Sequence, residues 1–549
     1  MIVCYRIYFR RDIYMIDALL LFSLILILCI ILTKVSNRTG LPMLLGFIGL
    51  GMLFGSDGIF KIPFDNYLAM EQIATVALIF IIFYGGFGTK WSTAKPVVVK
   101  ATMLSTLGVV LTAFLVGIFA HYLLGMSMIS SFLLGAVISS TDAASVFSIL
   151  RSKKLNLKEG TASLLELESG SNDPASYMLT IIVLNIMLGD FSVGSFIYML
   201  FAQVTYGLAF GALISYIALK VIQKVELSSG GMKMIFVVAI ALFSYALPSY
   251  FGGNGFLSAY IVGIVLGNTQ IEDKKSLVHF FDGITDLMQM VLFFLLGLLA
   301  FPSDFPEYIG YAMAIAIFLT FIARPISVIS LLVPLKSSVN QQALVSFSGL
   351  RGAASIVFAI IAFNAIDEID ITVGTEILNI VFLVVLFSIL FQGSLIPYVA
   401  RKVNMIDDSE DVMKTFTDYS DEEPVKFISS TISIDHPWNN MAIKDIIFPP
   451  DIIIATLERG DKKIVPNGST VLNAGDNLVF CAKAGDNVDG IRILEKNIDE
   501  ANEFVGKKVA NLNIEENMII VMIKRQKEVI IPHGDTVIEK GDVLVINHS

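Results

Sequence analysis

The chain has 549 residues, 55% of them hydrophobic and 16% charged, with a mean hydropathy of +0.76. These values exclude an ordinary soluble domain, and the apolar runs of helix-spanning length exclude a β-barrel, whose strands alternate polar and apolar residues. The formal net charge of −10 says little about partners, because one acidic stretch carries much of it, and no nucleic-acid partner is expected.

The apolar runs predict thirteen transmembrane helices, over 13–36, 41–60, 68–88, 97–124, 127–150, 160–188, 192–221, 232–251, 254–269, 280–300, 308–334, 342–364 and 376–400. Loop charges test that count. Alternate connections carry Lys34/Arg38, Lys90/Lys95/Lys100, Arg151/Lys153/Lys154/Lys158, Lys220/Lys224/Lys233, Lys274/Lys275, Lys336 and Arg401/Lys402. The connections between them carry Asp57/Asp65, Asp190, Asp304/Glu307 and Asp367/Glu368/Asp370, with Lys61 their one basic residue. Basic loops stay inside, so the C-terminal region is expected in the cytoplasm and the N-terminus outside a cell membrane. Arg6, Arg10 and Arg11 run against this pattern, which leaves Met1 and Met15 both open as the start.

The fifth span holds "SSTDAAS", with Thr141 and Asp142 at mid-membrane depth. Four polar residues in a row suggest an interrupted helix, whose freed carbonyls can bind a cation. The competing reading is a continuous helix whose Ser and Thr bond back to its own backbone. The sixth span holds "LESGSNDPAS". Asp173 lies about fourteen residues in, roughly 20 Å along a helix, near the middle of the bilayer. Glu168 and Asn172 are four apart, as are Ser169 and Asp173, so the two pairs form adjoining columns on one face. An ionisable group at that depth usually marks an ion or proton pathway. Asp173 is the candidate carrier, and Glu168 reads better as half of an ion pair.

Arg324, in "FIARPIS" of the eleventh span, needs a buried partner, and Glu168 is the best candidate. In the twelfth span "SGLRGAAS" sets Arg351 between Gly349 and Gly352. "TDAASVFSI" and "RGAASIVFAI" are similar and run in opposite directions across the membrane, as an inverted repeat with two broken helices would give. Asp142 would then face two helix N-termini, and Arg351 two helix C-termini.

Residues 403–424 read as an acidic, solvated linker. Beyond it "ERGDKKIVPNGSTVLNAGDNLVF" and "KRQKEVIIPHGDTVIEKGDVLVI" repeat one pattern of strands and Gly-Asp turns. Arg459, Pro466, Gly475 and Asp476 correspond to Arg525, Pro532, Gly541 and Asp542. The chain thus divides into a membrane domain over 13–402, the linker, and two small α+β cytoplasmic repeats over 425–495 and 496–549. Cys4, Cys29 and Cys481 form no pattern, and no Walker loop, dinucleotide-binding turn or HExxH occurs. Neither a structural metal site, a resident cofactor nor enzymatic activity is expected.

"ESGSNDP" with "SSTDAA", "ARP" and "GLRGA" resembles the sodium/proton exchanger branch of the cation/proton antiporters, in particular NhaP-like potassium/proton antiporters, over residues 16–400. The cytoplasmic repeats resemble the RCK C-terminal (TrkA-C) domain. The resemblance implies an all-α domain of thirteen helices with inverted repeats and two broken crossing helices, a homodimer, and alternating access. It implies exchange of potassium, or sodium, for protons at Asp173, with Asn172 in support and Ser169 and backbone near Thr141 completing the cation site. Asn-Asp at 172–173, where electrogenic relatives have Asp-Asp, implies electroneutral exchange. The Pro that often follows the Asp in the family's motif is absent here, where Ala143 follows Asp142. The RCK resemblance makes a small regulatory ligand, cyclic di-AMP among the candidates, an expectation for the tail. An RCK-gated cation channel and a ligand-sensing membrane protein are the alternatives. No TVGYG-like filter supports the first.

Overall fold

The computed structural model describes residues 19–34, 36, 42–62, 66–152, 155–189, 192–224, 230–269, 271, 274–407, 425–434, 436–446, 448, 452–460, 462–464, 466–483, 492–498, 504–512, 518–525, 528–530 and 532–548. Arg6, Arg10, Arg11, Met15, Arg38, Asp65, Lys153, Lys154, Asp190 and the acidic stretch from 408 to 424 lie outside them. The chain forms two compact units, Met1–Ser420 and Asp421–Ser549.

Among the described residues the first unit is helical apart from its connections and one antiparallel bridge, Leu157 with Ile406. Its elements are α1 (Leu19–Lys34), α2 (Met43–Phe54), α3 (Tyr67–Gly88), α4 (Trp91–Leu124), α5 (Met128–Val137), α6 (Ala143–Ser152), α7 (Thr161–Met187), α8 (Val193–Lys224), α9 (Gly230–Tyr250), α10 (Gly255–Gly267), α11 (Lys274–Leu298), α12 (Phe305–Leu332), α13 (Val339–Phe347), α14 (Ala353–Ile366) and α15 (Ile371–Lys402). Seven of these are long and apolar enough to cross a membrane on length and composition. α7 is long enough but carries Glu166, Glu168 and Asp173, and shorter helices supply the rest; two predicted spans are each made of two half-helices, α5 with α6 and α13 with α14. Residues 138–142 and 348–352 interrupt them.

Helical backbone bonding continues through Ala353–Phe387, yet the chain reverses within that run. Arg351 N–H donates to Ser388 Oγ at 3.0 Å, thirty-seven residues away. A straight helix would hold them about 55 Å apart. α14 and α15 are therefore the two arms of a hairpin, as separate twelfth and thirteenth spans require.

Three π-helical turns, Leu104–Gly108 in α4, Leu319–Ala323 in α12 and Ser388–Gly393 in α15, insert one extra residue per turn. The second ends directly before Arg324 and Pro325. Proline has no N–H to give the preceding turn, so the wider turn falls where the regular ladder is already broken.

The second unit contains two four-stranded antiparallel sheets. The first has β1 (Val425–Thr431), β2 (Ile452–Arg459), β3 (Lys462–Ile464) and β4 (Asn477–Lys483), in the order β1-β4-β2-β3. The second has β5 (Arg492–Asn497), β6 (Met518–Arg525), β7 (Glu528–Ile530) and β8 (Val543–His548), in the order β5-β8-β6-β7. The repeat extends to irregularities, since the register of β2 shifts between Ile454 and Thr456 and that of β6 between Ile520 and Met522. Short 3-10 turns at Ile443–Asp445 and Val509–Asn511 close the sheets.

Candidate functional site

The first break is held by one face of α7. Ser169, Asn172, Asp173 and Ser176 stand three, four and seven residues apart, so they share a stripe, and each meets residues 136–143. Ser169 Oγ donates to Thr141 O at 2.8 Å and accepts from Ala143 N–H at 2.9 Å. Asn172 clamps Thr141 twice, donating to Oγ1 at 2.5 Å and accepting from N–H at 3.3 Å. Ser176 Oγ donates to Ala136 O at 2.7 Å. Asp173 Oδ1 accepts from Ser140 Oγ at 2.5 Å, its one hydrogen bond among the described residues. Asn172 thus supports the site through Thr141 and does not touch Asp173 directly.

The stripe reaches solvent on one side. Glu166, Ser169, Gly170, Asp173 and Tyr177 are each partly exposed, whereas Glu168 and Asn172 are buried. One turn beyond Asp173, toward the C-terminal end of α7, the Tyr177 ring packs against Phe256 and Phe358, with centroids 5.0 and 5.7 Å away.

The two breaks touch. Asp142 N–H donates to Leu350 O at 2.8 Å. The Asp142 carboxylate accepts from Ser145 N–H at 3.1 Å and from Ser145 Oγ at 2.5 Å, and so caps α6. It also lies against Gly352, where a Cβ would come within 2.3 Å of Asp142 Oδ2; only glycine admits the carboxylate to the start of α14. Asp142 therefore faces two helix N-termini, where a negative charge is favoured.

Arg351, with no exposed surface, donates from Nη1 to Ser139 O at 2.7 Å and Ser140 O at 2.5 Å, just past the C-terminal end of α5. Of the two C-termini expected for Arg351, its side-chain hydrogen bonds among the described residues reach that of α5; at the end of α13, Phe347 O accepts from Gln392 Nε2 at 2.6 Å. Gln392 Oε1 accepts from Ser388 Oγ at 2.9 Å, and Ser388 Oγ accepts from Arg351 N–H. Sequence reasoning missed Ser388 and Gln392. Their one available signal was two amphiphilic residues four apart in an otherwise apolar last helix.

Arg324 Nη2 donates to Glu168 Oε1 at 2.5 Å, with side chains 4% and 1% exposed. Gly349 makes room for it, since a Cβ there would stand 2.8 Å from Arg324 Nε. Arg324 is thus paired with Glu168, whereas Arg351 reaches main-chain carbonyls and Asp142 the start of its own half-helix. Asp173 stands beside them with the Ser140 hydroxyl as its one hydrogen-bond partner among the described residues.

In the tail, Arg459 grips Asp476 with Nε and Nη2, both at 2.7 Å, and Arg525 grips Asp542 likewise, both at 2.8 Å. Gly475 and Gly541, at φ +92° and +88°, make the left-handed turns ahead of the two aspartates. Pro466 and Pro532 lie after β3 and β7, at the turns that lead back toward β4 and β8. The Arg459 guanidinium and the Asn473 N–H hold the Asp476 carboxyl below the usual carboxylate range despite its burial. At Asp542 burial pushes the other way, but Arg525 and the Glu539 N–H outweigh it and the net direction is again down.

Residues 23–402 match the family described as "Sodium/hydrogen exchanger, transmembrane". The chain belongs to the sodium/hydrogen exchanger family. Residues 427–487 and 493–546 each match the TrkA-C domain, so the tail of this exchanger carries two. The chain is 32% identical over 506 residues to the K(+)/H(+) antiporter NhaP of Alkalimonas amylolytica, covering 90% of this chain and 87% of that one. It is 33% identical over 467 residues to the K(+)/H(+) antiporter NhaP2 of Shewanella baltica, covering 83% and 79%. The sodium proton antiporter MjNhaP1 from Methanocaldococcus jannaschii superposes with a TM-score of 0.63 at 22% identity, over 71% of this chain and 99% of that one, which establishes the shared fold.

Proposed function

We propose that this exchanger is a secondary antiporter that trades one monovalent cation for one proton at Asp173, with potassium as the leading cation and sodium as the alternative. The observation that carries the reading is the placement of Asp173. It stands beside the first break with one hydrogen bond among the described residues, from Ser140 Oγ, while Glu168 on the same helix is held by Arg324. A carboxylate held in a poor solvent must be neutralised by a proton or by a cation, and either ligand displaces the other. If the bundle changes access only when the site is neutral, exchange is obligatory and carries no net charge. Ser169 Oγ and Thr141 O would join Asp173 as cation ligands by giving up the bond they make to each other. The names of the NhaP and NhaP2 relatives support potassium.

The loop charges favour a cytoplasmic C-terminus and an outer N-terminus. A homodimer is the family expectation. The tail is read as a regulatory module with a small ligand, for which cyclic di-AMP is one candidate to be added to the assay. The deciding experiment is proton flux in proteoliposomes driven by potassium and, separately, by sodium. Cation-driven, voltage-insensitive proton movement is expected. Cation flux with no proton movement would indicate a channel, and no flux at all a sensor.

A further inference from the structure

We propose that the root of the cytoplasmic linker is clasped by the connection between α6 and α7, and that the tail acts on transport through this clasp. The inference rests on the antiporter reading and deepens its regulatory part. α15 ends at Lys402, and Asn404 takes a left-handed φ of 54°. Met405 N–H returns to Ala400 O at 3.0 Å, which turns the chain back toward the helix connections. Residues 405–407 then run antiparallel to 156–158. Lys158 N–H donates to Met405 O and Asp407 N–H to Asn156 O, both at 3.0 Å, with Leu157 directly opposite Ile406. Met405 and Leu157 are 1% and 6% exposed, so the short ladder is anchored by buried side chains on both strands.

The clasped connection is itself wired to the ion site. Glu159 and Gly160, at φ 59° and 64°, turn it directly into the first turn of α7, thirteen residues before Asp173. Gln341 of α13 donates to Glu159 O at 3.1 Å and to Thr161 Oγ1 at 3.0 Å, and accepts from Lys100 Nζ at 3.1 Å. Ser338, the N-cap of α13, donates to Glu159 Oε2 at 2.7 Å. A half-helix of each break, α6 and α13, and the carrier helix α7 thus converge on the loop that holds the linker root. Main-chain bonds fix the linker root to this loop, so a pull that reaches Asp407 passes into it.

Three full-length variants test this in proteoliposomes. Asp407→Pro removes the N–H that bonds Asn156 and should shift the apparent cation affinity about fivefold, a usual size for coupling between sites, with the maximal rate nearly unchanged. Asp407→Glu, which keeps both the N–H and a carboxylate, should behave as the wild type. A ten-residue Gly-Ser insertion after Asp411 slackens the linker and should give the Asp407→Pro shift, with no further shift when the two are combined. Leu157 and Ile406 form a non-hydrogen-bonded pair, about 4.5 Å between Cα atoms, close enough for a disulfide. The double variant L157C/I406C should therefore cross-link in membranes and still exchange at the wild-type rate, because the clasp stays closed through the cycle. That arm decides the matter even where Asp407→Pro fails to fold. Failure to cross-link, a cross-link that slows exchange reversibly, or an insertion without effect would each overturn the clasp. Absence of exchange in the wild type would instead overturn the antiporter reading.

Discussion

The membrane unit and the cytoplasmic repeats both bury carboxylates beside arginines, but against different solvents. In the tail, Asp476 and Asp542 are 1% and 0% exposed, while their partners Arg459 and Arg525 keep 41% and 25% of their side chains in water. Each guanidinium stays hydrated on one side, so the pair closes a turn at modest cost. In the membrane, Glu168 and Arg324 are both buried, and among the described residues Glu168 Oε2 and Arg324 Nε have no hydrogen-bond partner. There the whole desolvation of both charges must be offset by one contact and its surroundings. The difference teaches that a tail carboxylate can be purely structural at little expense. A membrane carboxylate left outside the pairing, as Asp173 is, must be neutralised by something that comes and goes.

The sharpest way to break that contrast is Asp173→Asn. It removes the carboxylate charge and keeps the Ser140 contact, so exchange should fall to the level of empty vesicles while purified yield stays near wild type. Near-normal cation-driven proton flux would show that another group carries the charge. The next largest effect is expected from Glu168→Ala, which strands Arg324. Breaking a buried pair from one side costs about 3–5 kcal/mol, read as a lower thermal midpoint in detergent and a lower yield. The double change E168A/R324A should recover part of that loss. A well-expressed E168A protein with a strongly altered cation affinity would instead place Glu168 in the ion site.

Gln392→Leu sharpens the comparison within the membrane. It leaves Phe347 O without its side-chain donor and the Ser388 hydroxyl without its acceptor, at about 1–3 kcal/mol, though Ser388 Oγ still accepts from Arg351 N–H. The expected thermal loss is smaller than for Glu168→Ala and larger than for any surface substitution on α15. An unchanged midpoint would mean that the end of α13 needs no side-chain cap.

How far the sequence reaches follows the same division. The breaks were legible because Ser, Thr, Asp and Gly cluster where the surrounding text is apolar, and the Glu168–Arg324 contact was legible because a buried cation demands a partner and few exist. The Gln392 and Ser388 cap was not, since these residues reach Phe347 and Arg351 only through the reversal between α14 and α15 and the π-turn at Ser388–Gly393. Neither feature has a local sequence signature. In the tail the repeat exposed the Gly-Asp turns, but the placement of β4 between β1 and β2 is long-range pairing that strand patterning leaves open.

The smallest effects belong to the tail, and pH separates them from the rest. Asp476 and Asp542 have carboxyl pKa values held below the ordinary range, the first by Arg459 and the second by Arg525 against its burial. A lowered folded-state value stabilises the fold at every pH above the unfolded value of about 3.9, and that contribution disappears as pH falls through the folded value. Tail stability should therefore be flat from neutral pH to about 5 and decline only below about 4. Trp438 reports it, because its ring packs edge-on against Phe448 and Phe480 at 5.3 and 6.1 Å in the core of the first repeat. In full-length protein carrying Trp91→Phe, Trp438 is the sole tryptophan, and its emission should hold until that acid limb and then shift to the red. Arg459→Ala should flatten the limb, because Asp476 then loses the partner that lowers its pKa. A Trp438 transition centred near neutrality, or one that Arg459→Ala leaves unmoved, would mean that some other group governs the first repeat.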